Sequence, residues 1–165
     1  METRASGESS APGSADHSGV RLPPPLIYVV LFLLALGLQT ILPLPAIPPA
    51  IGLIGGPVLT IGGVLLSGWS IGRFRRARTS VIPIRPTTTL VIEGPYRFTR
   101  NPMYLSLAMV YLGLALWTQK LWVLLLAPLV ILAVQQMVIR KEEQYLQRKF
   151  GEQYTLYRAS VRRWI

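Results

Sequence analysis

Apolar residues in this chain are gathered rather than scattered. Four blocks, at 26–42, 50–71, 101–117 and 121–139, are almost free of charge. A helix needs about 20 mainly apolar residues to cross a bilayer, or about 17 at the short end, so the pattern predicts four transmembrane helices. The third block reaches that length only by starting at Asn101-Pro102, where Asn suits a helix cap and Pro the first helical position. Short turns join the blocks in pairs: PLPAIPP between the first two and TQK between the last two. The fourth block has no stop signal. It runs on as QQMVIRKEEQYLQRKF until Gly151 offers a C-terminal cap, so this helix is expected to leave the membrane and extend into the cytoplasm. After it, EQYTLYRASVRRWI sets Tyr154, Tyr157, Val161 and Trp164 at helical spacing. That spacing predicts an amphipathic C-terminal helix lying over the headgroups. The fold class is an all-α integral membrane protein.

The connecting segments complete the organisation. Residues 1–25 read as a disordered cytoplasmic tail with a stiff Pro23-Pro24-Pro25 exit, and 26–165 as one domain. Residues 79–92 are β-branched and interrupted by Pro83 and Pro86, which predicts an extended stretch along the membrane surface. Glu93-Gly94-Pro95 then reads as a turn.

Composition and charge sharpen this picture. A hydrophobic fraction of 51% and mean hydropathy of +0.42 are high for a soluble domain of 165 residues. The net charge of +10 might point to nucleic acid, but its placement argues against that partner. Arg73, Arg75, Arg76, Arg78, Arg85, Arg97 and Arg100 occupy one loop, and Arg140, Lys141, Arg148, Lys149, Arg158, Arg162 and Arg163 follow the last apolar block. Basic residues collect on the cytoplasmic side, so both termini and the 73–100 loop are expected there, with anionic membrane lipid as their partner. The inner membrane of a bacterium is the expected location. There is no cysteine, and the one histidine, His17, lies in the tail, so no metal site is expected. Gly52, Gly55, Gly56, Gly62, Gly63 and Gly68 in the second block read as helix-packing positions. They permit a dimer without requiring one, and oligomeric state stays open.

Candidate chemistry sits where block four meets the cytoplasm. Gln136, Arg140, Glu143 and Gln147 recur at spacings that share one helical face, with Gln135 and Glu142 on an adjoining one. One reading is an interfacial ion-pair cluster in which Arg140 and Lys141 neutralise Glu142 and Glu143. A second reading adds the stretch EGPYRFTRNPMYLSL at 93–107, whose Arg97, Arg100 and Asn101 emerge at the same boundary. Arginine beside a helix N-terminus suits an anionic group, and two carboxylates suit an ammonium or a ribose diol. S-adenosylmethionine carries all three, as one candidate among several zwitterionic or nucleotide ligands.

EGPYRFTRNPMYLSL, followed about forty residues later by IRKEEQYLQRKFGEQYTLYRASVRRWI, resembles the integral-membrane methyltransferases. That superfamily holds the isoprenylcysteine carboxyl methyltransferases and the phospholipid N-methyltransferases. Its pattern is G-x-Y-x-x-x-R-[HN]-P-x-Y at the start of one span, then a Glu-Glu pair, then F-G-x-x-Y-x-x-Y. The resemblance covers residues 93–165. It implies a membrane methyltransferase that uses S-adenosyl-L-methionine on a lipidic acceptor, either a carboxylate of a prenylated or isoprenoid-like compound or a phospholipid amine. It implies cofactor contacts from Tyr96, Arg100, Asn101, Pro102, Tyr104, Leu105, Glu142 and Glu143. Tyr154, Tyr157 and Arg163 match the tail that closes the pocket towards substrate, and Arg163 and Glu143 take the catalytic roles. Asn101 stands where the carboxyl methyltransferases usually have His, and Ser106 where a Gly often stands. The alternative from another class is a non-catalytic scaffold or transport-associated protein on the same fold.

Overall fold

The computed structural model describes residues 20, 22–79 and 88–165. Most of the expected disordered tail, with His17, and most of the expected extended stretch at 79–92 lie outside the described residues, while Pro24 and Pro25, expected to close the tail, already belong to the first helix. Thr88 N donates to Thr79 Oγ1 at 3.0 Å, so the chain leaves and re-enters the described part at neighbouring points.

Among the described residues the chain is helical and has no strand. Helix α1 covers Pro24–Ile41 and α2 Pro49–Arg76, each opening on a proline whose missing N–H costs nothing in the first turn. A 3₁₀ turn at Gly94–Arg97 precedes α3, Pro102–Trp117. The fourth rod is assembled from α4 (Leu121–Leu125), α5 (Ala127–Val134), a π-helical turn at Gln135–Ile139 and α6 (Arg140–Ser160). Gly151 interrupts α6 with φ 50° and ψ −118°, where the sequence predicts the end of the long helix.

Helix α3 is the centre of the bundle, and its two sides are specialised. One side packs antiparallel on α2 with almost no side-chain spacing. A Cβ on Gly52 would lie 2.5 Å from Leu116 O, one on Gly63 would lie 2.7 Å from Ser106 O, and one on Gly113 would lie 2.8 Å from Gly56 O. Close backbone approach through small residues is how membrane helices gain packing where burial of apolar surface supplies little drive. Gly68 meets nothing within 4 Å, so the packing expectation does not hold for it. The other side of α3 presents Tyr104, Ala108, Tyr111 and Ala115 to a core shared with α1, α4 and α5. The outward faces carry exposed Leu33, Leu34, Leu53, Ile54, Leu65 and Leu132, the kind of surface that lipid covers.

Three helices, Pro24–Ile41, Pro49–Arg76 and Leu121–Ser160, are long and apolar enough to cross a membrane. The third expected span falls short, because α3 has 16 residues. At 1.5 Å per residue it rises about 24 Å against a core of about 30 Å. The two ends of the bundle are nevertheless distinct. At one end the turns meet: Ile47 N donates to Gln119 O at 3.1 Å, and Trp122 Nε1 to Leu42 O at 2.6 Å. At the other end lie the arginines, the 93–101 segment and α6.

The π turn alters the expected face of the fourth rod. Its extra residue per turn moves everything beyond it around the helix. Gln136 and Arg140 are exposed while Glu143 is buried, so these residues do not share a face as the spacing predicts. Lys141 is exposed as well. Glu142 and Glu143 take their partners from elsewhere in the chain.

Candidate functional site

The segment feeding α3 is fixed before the site begins. Gly94 has φ +63°, and a Cβ there would lie 2.7 Å from Arg73 Nε and 3.2 Å from Trp69 Nε1. Only glycine both adopts this backbone and lets α2 approach so closely. Arg73 Nη1 pairs with Glu93 Oε2 at 3.2 Å, and the Phe74 and Tyr96 rings meet edge-on with centroids 5.5 Å apart. Tyr96 thus faces inward, and Tyr157 Oη donates to its carbonyl at 2.8 Å.

Asn101 occupies the cap position of α3 but does not cap it. Its Nδ2 donates to Arg163 O at 3.0 Å instead, and no side chain caps the helix. Thr99 Oγ1 donates to the same carbonyl at 3.1 Å, and Arg100 N to Arg162 O at 2.9 Å. The C-terminal residues are therefore stapled across the start of α3. Helix ends at Ser160, so Val161 and Trp164 belong to an extended tail rather than to the expected helical face. Trp164 Nε1 donates to Gln135 Oε1 at 2.9 Å, which ties that tail to the π turn.

The two glutamates have different surroundings. Glu143 is gripped by Arg163, with Nε to Oε1 at 3.0 Å and Nη2 to Oε2 at 2.7 Å, a bidentate pair. Arg100 Nη1 lies 3.2 Å from Glu143 Oε1. Glu142 receives one hydrogen bond, from Tyr104 Oη at 2.7 Å, and no cation pairs with it among the described residues. Tyr104 is held in turn by α1, since Tyr28 Oη donates to its carbonyl at 3.1 Å.

Electrostatics follow from these contacts. Desolvation pushes the Glu142 carboxyl up to about 7, opposed by the Tyr104 hydrogen bond and reinforced by the neighbouring Glu143 charge. Burial raises the phenols of Tyr96, Tyr154 and Tyr157. The Glu143 carboxylate holds the Arg163 guanidinium protonated even more firmly than usual. Arg100 is the least satisfied group. Its side chain is 9% exposed, yet Nε has no hydrogen-bond partner and Nη1 is close to Glu143 without the alignment of a hydrogen bond. A buried guanidinium with idle donors is costly unless something anionic completes it.

The structure therefore brings Tyr96, Arg100, Asn101, Pro102, Tyr104, Glu142, Glu143, Tyr154, Tyr157 and Arg163 to one end of the bundle. Asn101 holds the tail. Leu105, one residue past Tyr104, is half-buried on α3. Ser106 faces α2: its hydroxyl donates to Met103 O at 2.7 Å, and its carbonyl is the atom nearest Gly63. Two supporting residues escape a sequence reading: Tyr28 resembles an ordinary interfacial aromatic, and Thr99 is an unremarked hydroxyl between two arginines. Gln135, which the spacing sets on one face with Glu142, shows its partner only once the tail folds back.

The arrangement unites a buried guanidinium with unmet donors, a cation-free carboxylate and a ring of inward tyrosines, beside surfaces made for lipid. Comparison with known proteins gives this end of the bundle a relationship. A family profile described as phospholipid methyltransferase matches residues 51–153. An uncharacterized protein of Haemophilus influenzae is 41% identical over 63 residues, 38% of this chain and 100% of its own length. The cobalt-zinc-cadmium resistance protein CzcN of Cupriavidus metallidurans is 34% identical over 95 residues, 58% of this chain and 43% of that protein. The nickel-cobalt-cadmium resistance protein NccN of Alcaligenes xylosoxydans xylosoxydans is 30% identical over 99 residues, 60% of this chain and 46% of that protein. This chain spans less than half the length of those two relatives. No solved structure matches. The profile takes in α2, the 93–101 segment, α3 and both glutamates, and on that match the chain belongs to the phospholipid methyltransferase family.

Proposed function

We propose that the chain is an S-adenosylmethionine-dependent methyltransferase of the bacterial inner membrane, acting on a lipidic or amphiphilic acceptor. The observation that carries this reading is Arg100, buried at the N-terminus of α3 with Nε and Nη1 short of hydrogen-bond partners, at the end of the bundle where Tyr104 holds Glu142. When bound, the cofactor supplies a methyl group already activated on a sulfonium, so the protein's task is to bind, orient and exclude water. Arg100 and the first N–H groups of α3 suit a carboxylate. A glutamate of the 142–143 pair suits an ammonium, and Tyr96, Tyr104, Tyr154 and Tyr157 supply an aromatic, water-poor wall. A carboxylate acceptor needs a cation to position it, a role that Arg163, paired with Glu143 through Nε and Nη2, suits by its charge; an amine acceptor needs a group to take its proton.

Topology supports the same reading. With α3 as a fourth crossing, both termini and the arginine-rich end face the cytoplasm, where water-soluble cofactor is available, while acceptor arrives laterally through lipid. The alternative, a non-catalytic or transport-associated protein, draws on the metal-resistance names of two relatives. It finds little support in this chain, which has no cluster of metal-ligating side chains among the described residues.

Detergent-purified protein should bind labelled S-adenosylmethionine saturably. Arg100→Gln should weaken that binding by about tenfold or more, the scale of a lost charge-assisted hydrogen bond. An absence of saturable binding by the unaltered protein would reject the enzyme reading. Labelled cofactor supplied to native membranes then identifies the acceptor: base-labile volatile label means a methyl ester, and a stable lipid adduct means N-methylation.

A further inference from the structure

The π turn that carries Glu143 inward leaves Gln136 and Arg140 on the outside of the fourth rod. The site described above uses neither. They belong instead to a continuous exposed stripe formed by Leu129, Leu132, Gln136, Arg140 and Arg148, with Lys141 beside Arg140. Steps of three, four and eight residues keep a stripe on one side of a helix, here the side opposite buried Val130, Val134, Val138 and Glu143.

Polarity along this stripe changes in a fixed order. Leucines come first, within the apolar run long enough to cross a membrane. An amide follows at Gln136, then guanidinium and ammonium groups at Arg140, Lys141 and Arg148. Four residues rise about 6 Å, and the polar layer on each side of the hydrocarbon is about 5–7 Å deep. Gln136 and Arg140 therefore fit within one headgroup layer, with the amide on its hydrocarbon side. Cations alone would suffice to set orientation; the amide calls for a separate reason. Gln136 has no hydrogen-bond partner among the described residues, and an idle amide facing hydrocarbon is costly.

The order matches a glycerophospholipid read from its tails outward. Acyl chains lie along Leu129 and Leu132, ester carbonyls accept from the Gln136 amide, and the phosphate meets Arg140. Among the described residues no carboxylate pairs with Arg140, Lys141 or Arg148. The surface is thus complementary to a headgroup of net negative charge rather than to a zwitterionic one.

We propose that the outer face of the π turn is a binding site for an anionic glycerophospholipid, in which Arg140, helped by Lys141 and Arg148, receives the phosphate and Gln136 donates to an ester carbonyl. This lipid is a bound neighbour of the fold on the far side of the rod from Glu143. The site stands independently of the methyltransferase reading.

The test titrates the full chain in detergent with dioleoylphosphatidylglycerol or dioleoylphosphatidylcholine and reads retained lipid by native mass spectrometry. Phosphatidylglycerol should be retained at lower concentration. Arg140→Gln should weaken its retention about fivefold, the scale of one basic residue at an anionic surface, and Arg140→Lys should recover most of it. Gln136→Leu should weaken retention about threefold with no change of charge. The ether-linked analogue, which has no ester carbonyl, should not distinguish Gln136→Leu from the unaltered protein. Arg75→Gln, at the exposed end of α2, should retain phosphatidylglycerol normally. All these side chains are exposed, and an unchanged thermal midpoint without added lipid should confirm that each variant is folded.

Equal retention of the two lipids would overturn the proposal. So would a loss in Arg75→Gln as large as that in Arg140→Gln, which would make the attraction diffuse, or full retention of the ester lipid by Gln136→Leu. Displacement of the lipid by soluble glycerophosphate would overturn it as well, since the site would then read a free anion and owe nothing to the acyl chains.

Discussion

At the scale of the residue, most of the polar contacts at this end tie one loop or helix to another, and Glu142 has the most consequential exception. Tyr104 from α3, Tyr96 from the 94–97 turn and Glu143 on its own helix face it electrostatically, and none is a cation. Its carboxyl is raised to about 7 from the usual glutamate value of 4.5, first by desolvation. The linkage sign follows directly. Between those two values the folded protein holds a proton that the unfolded chain has released, so stability falls as pH rises through the window and levels off above it. Thermal unfolding in detergent should show a midpoint that drops between about pH 5 and pH 7. Glu142→Gln should flatten that slope, and an unchanged slope would mean that another group titrates. Little of this was visible beforehand. The sequence places Glu142 and Glu143 together, and only the π turn with its returning tail makes one clasped and the other open. Asn101 shows the same limit, since a residue ideal for capping is recruited by a carbonyl sixty-two positions away.

At the scale of the element, α3 is defined by its neighbours. Its 16 residues are apolar all round because α2 covers one side and α1, α4 and α5 cover the other. The contact with α2 is backbone-close, and Gly113 is its tightest point: a Cβ there would meet the Thr60 side chain, Thr60 N at 2.7 Å and Gly56 O at 2.8 Å. Backbone cannot step aside as a flexible side chain can. Gly113→Ala should therefore destabilise the protein by about 1–3 kcal/mol through overpacking. Gly68→Ala, which meets nothing within 4 Å, should be neutral or slightly stabilising. Unfolding in a detergent series of the two variants checks the pair, and equal effects would contradict the packing account. A glycine-rich apolar block made close packing legible in advance, yet it could not rank Gly56 and Gly63 above Gly68. That ranking depends on the partner helix, which a single sequence does not display. The helix end at Gly151 was legible for the opposite reason, because its left-handed backbone is a local property.

At the scale of the whole molecule, the question is whether α3 crosses. By length alone it falls short, but its surroundings bear on the matter more than its length. Its C-terminal end is tied to the α1–α2 turn through the Ile47–Gln119 hydrogen bond and the Ala46–Lys120 bridge. Its N-terminal end lies among Arg73, Glu93 and the C-terminal tail. α2 runs antiparallel beside it along the full stretch from Gly52 to Gly63, and α2 is long enough to cross. A helix joined to both ends of a spanning partner should be carried across with it, since its buried sides need not match the bilayer as a lipid-exposed helix must. Because the chain has no cysteine, single cysteines report position without background. On the proposed orientation, cysteines introduced at Pro45 and at Thr118, both exposed in the two short turns, should react with a membrane-impermeant maleimide added outside intact cells or spheroplasts. At Gln153, exposed beyond the Gly151 break, labelling should require permeabilised membranes. Labelling at Pro45 with protection at Thr118 would mean that α3 turns back, and the bond between Ile47 and Gln119 would then have to be absent in the membrane. The reverse pattern at all three positions would place the arginine-rich end outside, against the charge bias and away from the cytoplasmic supply of cofactor.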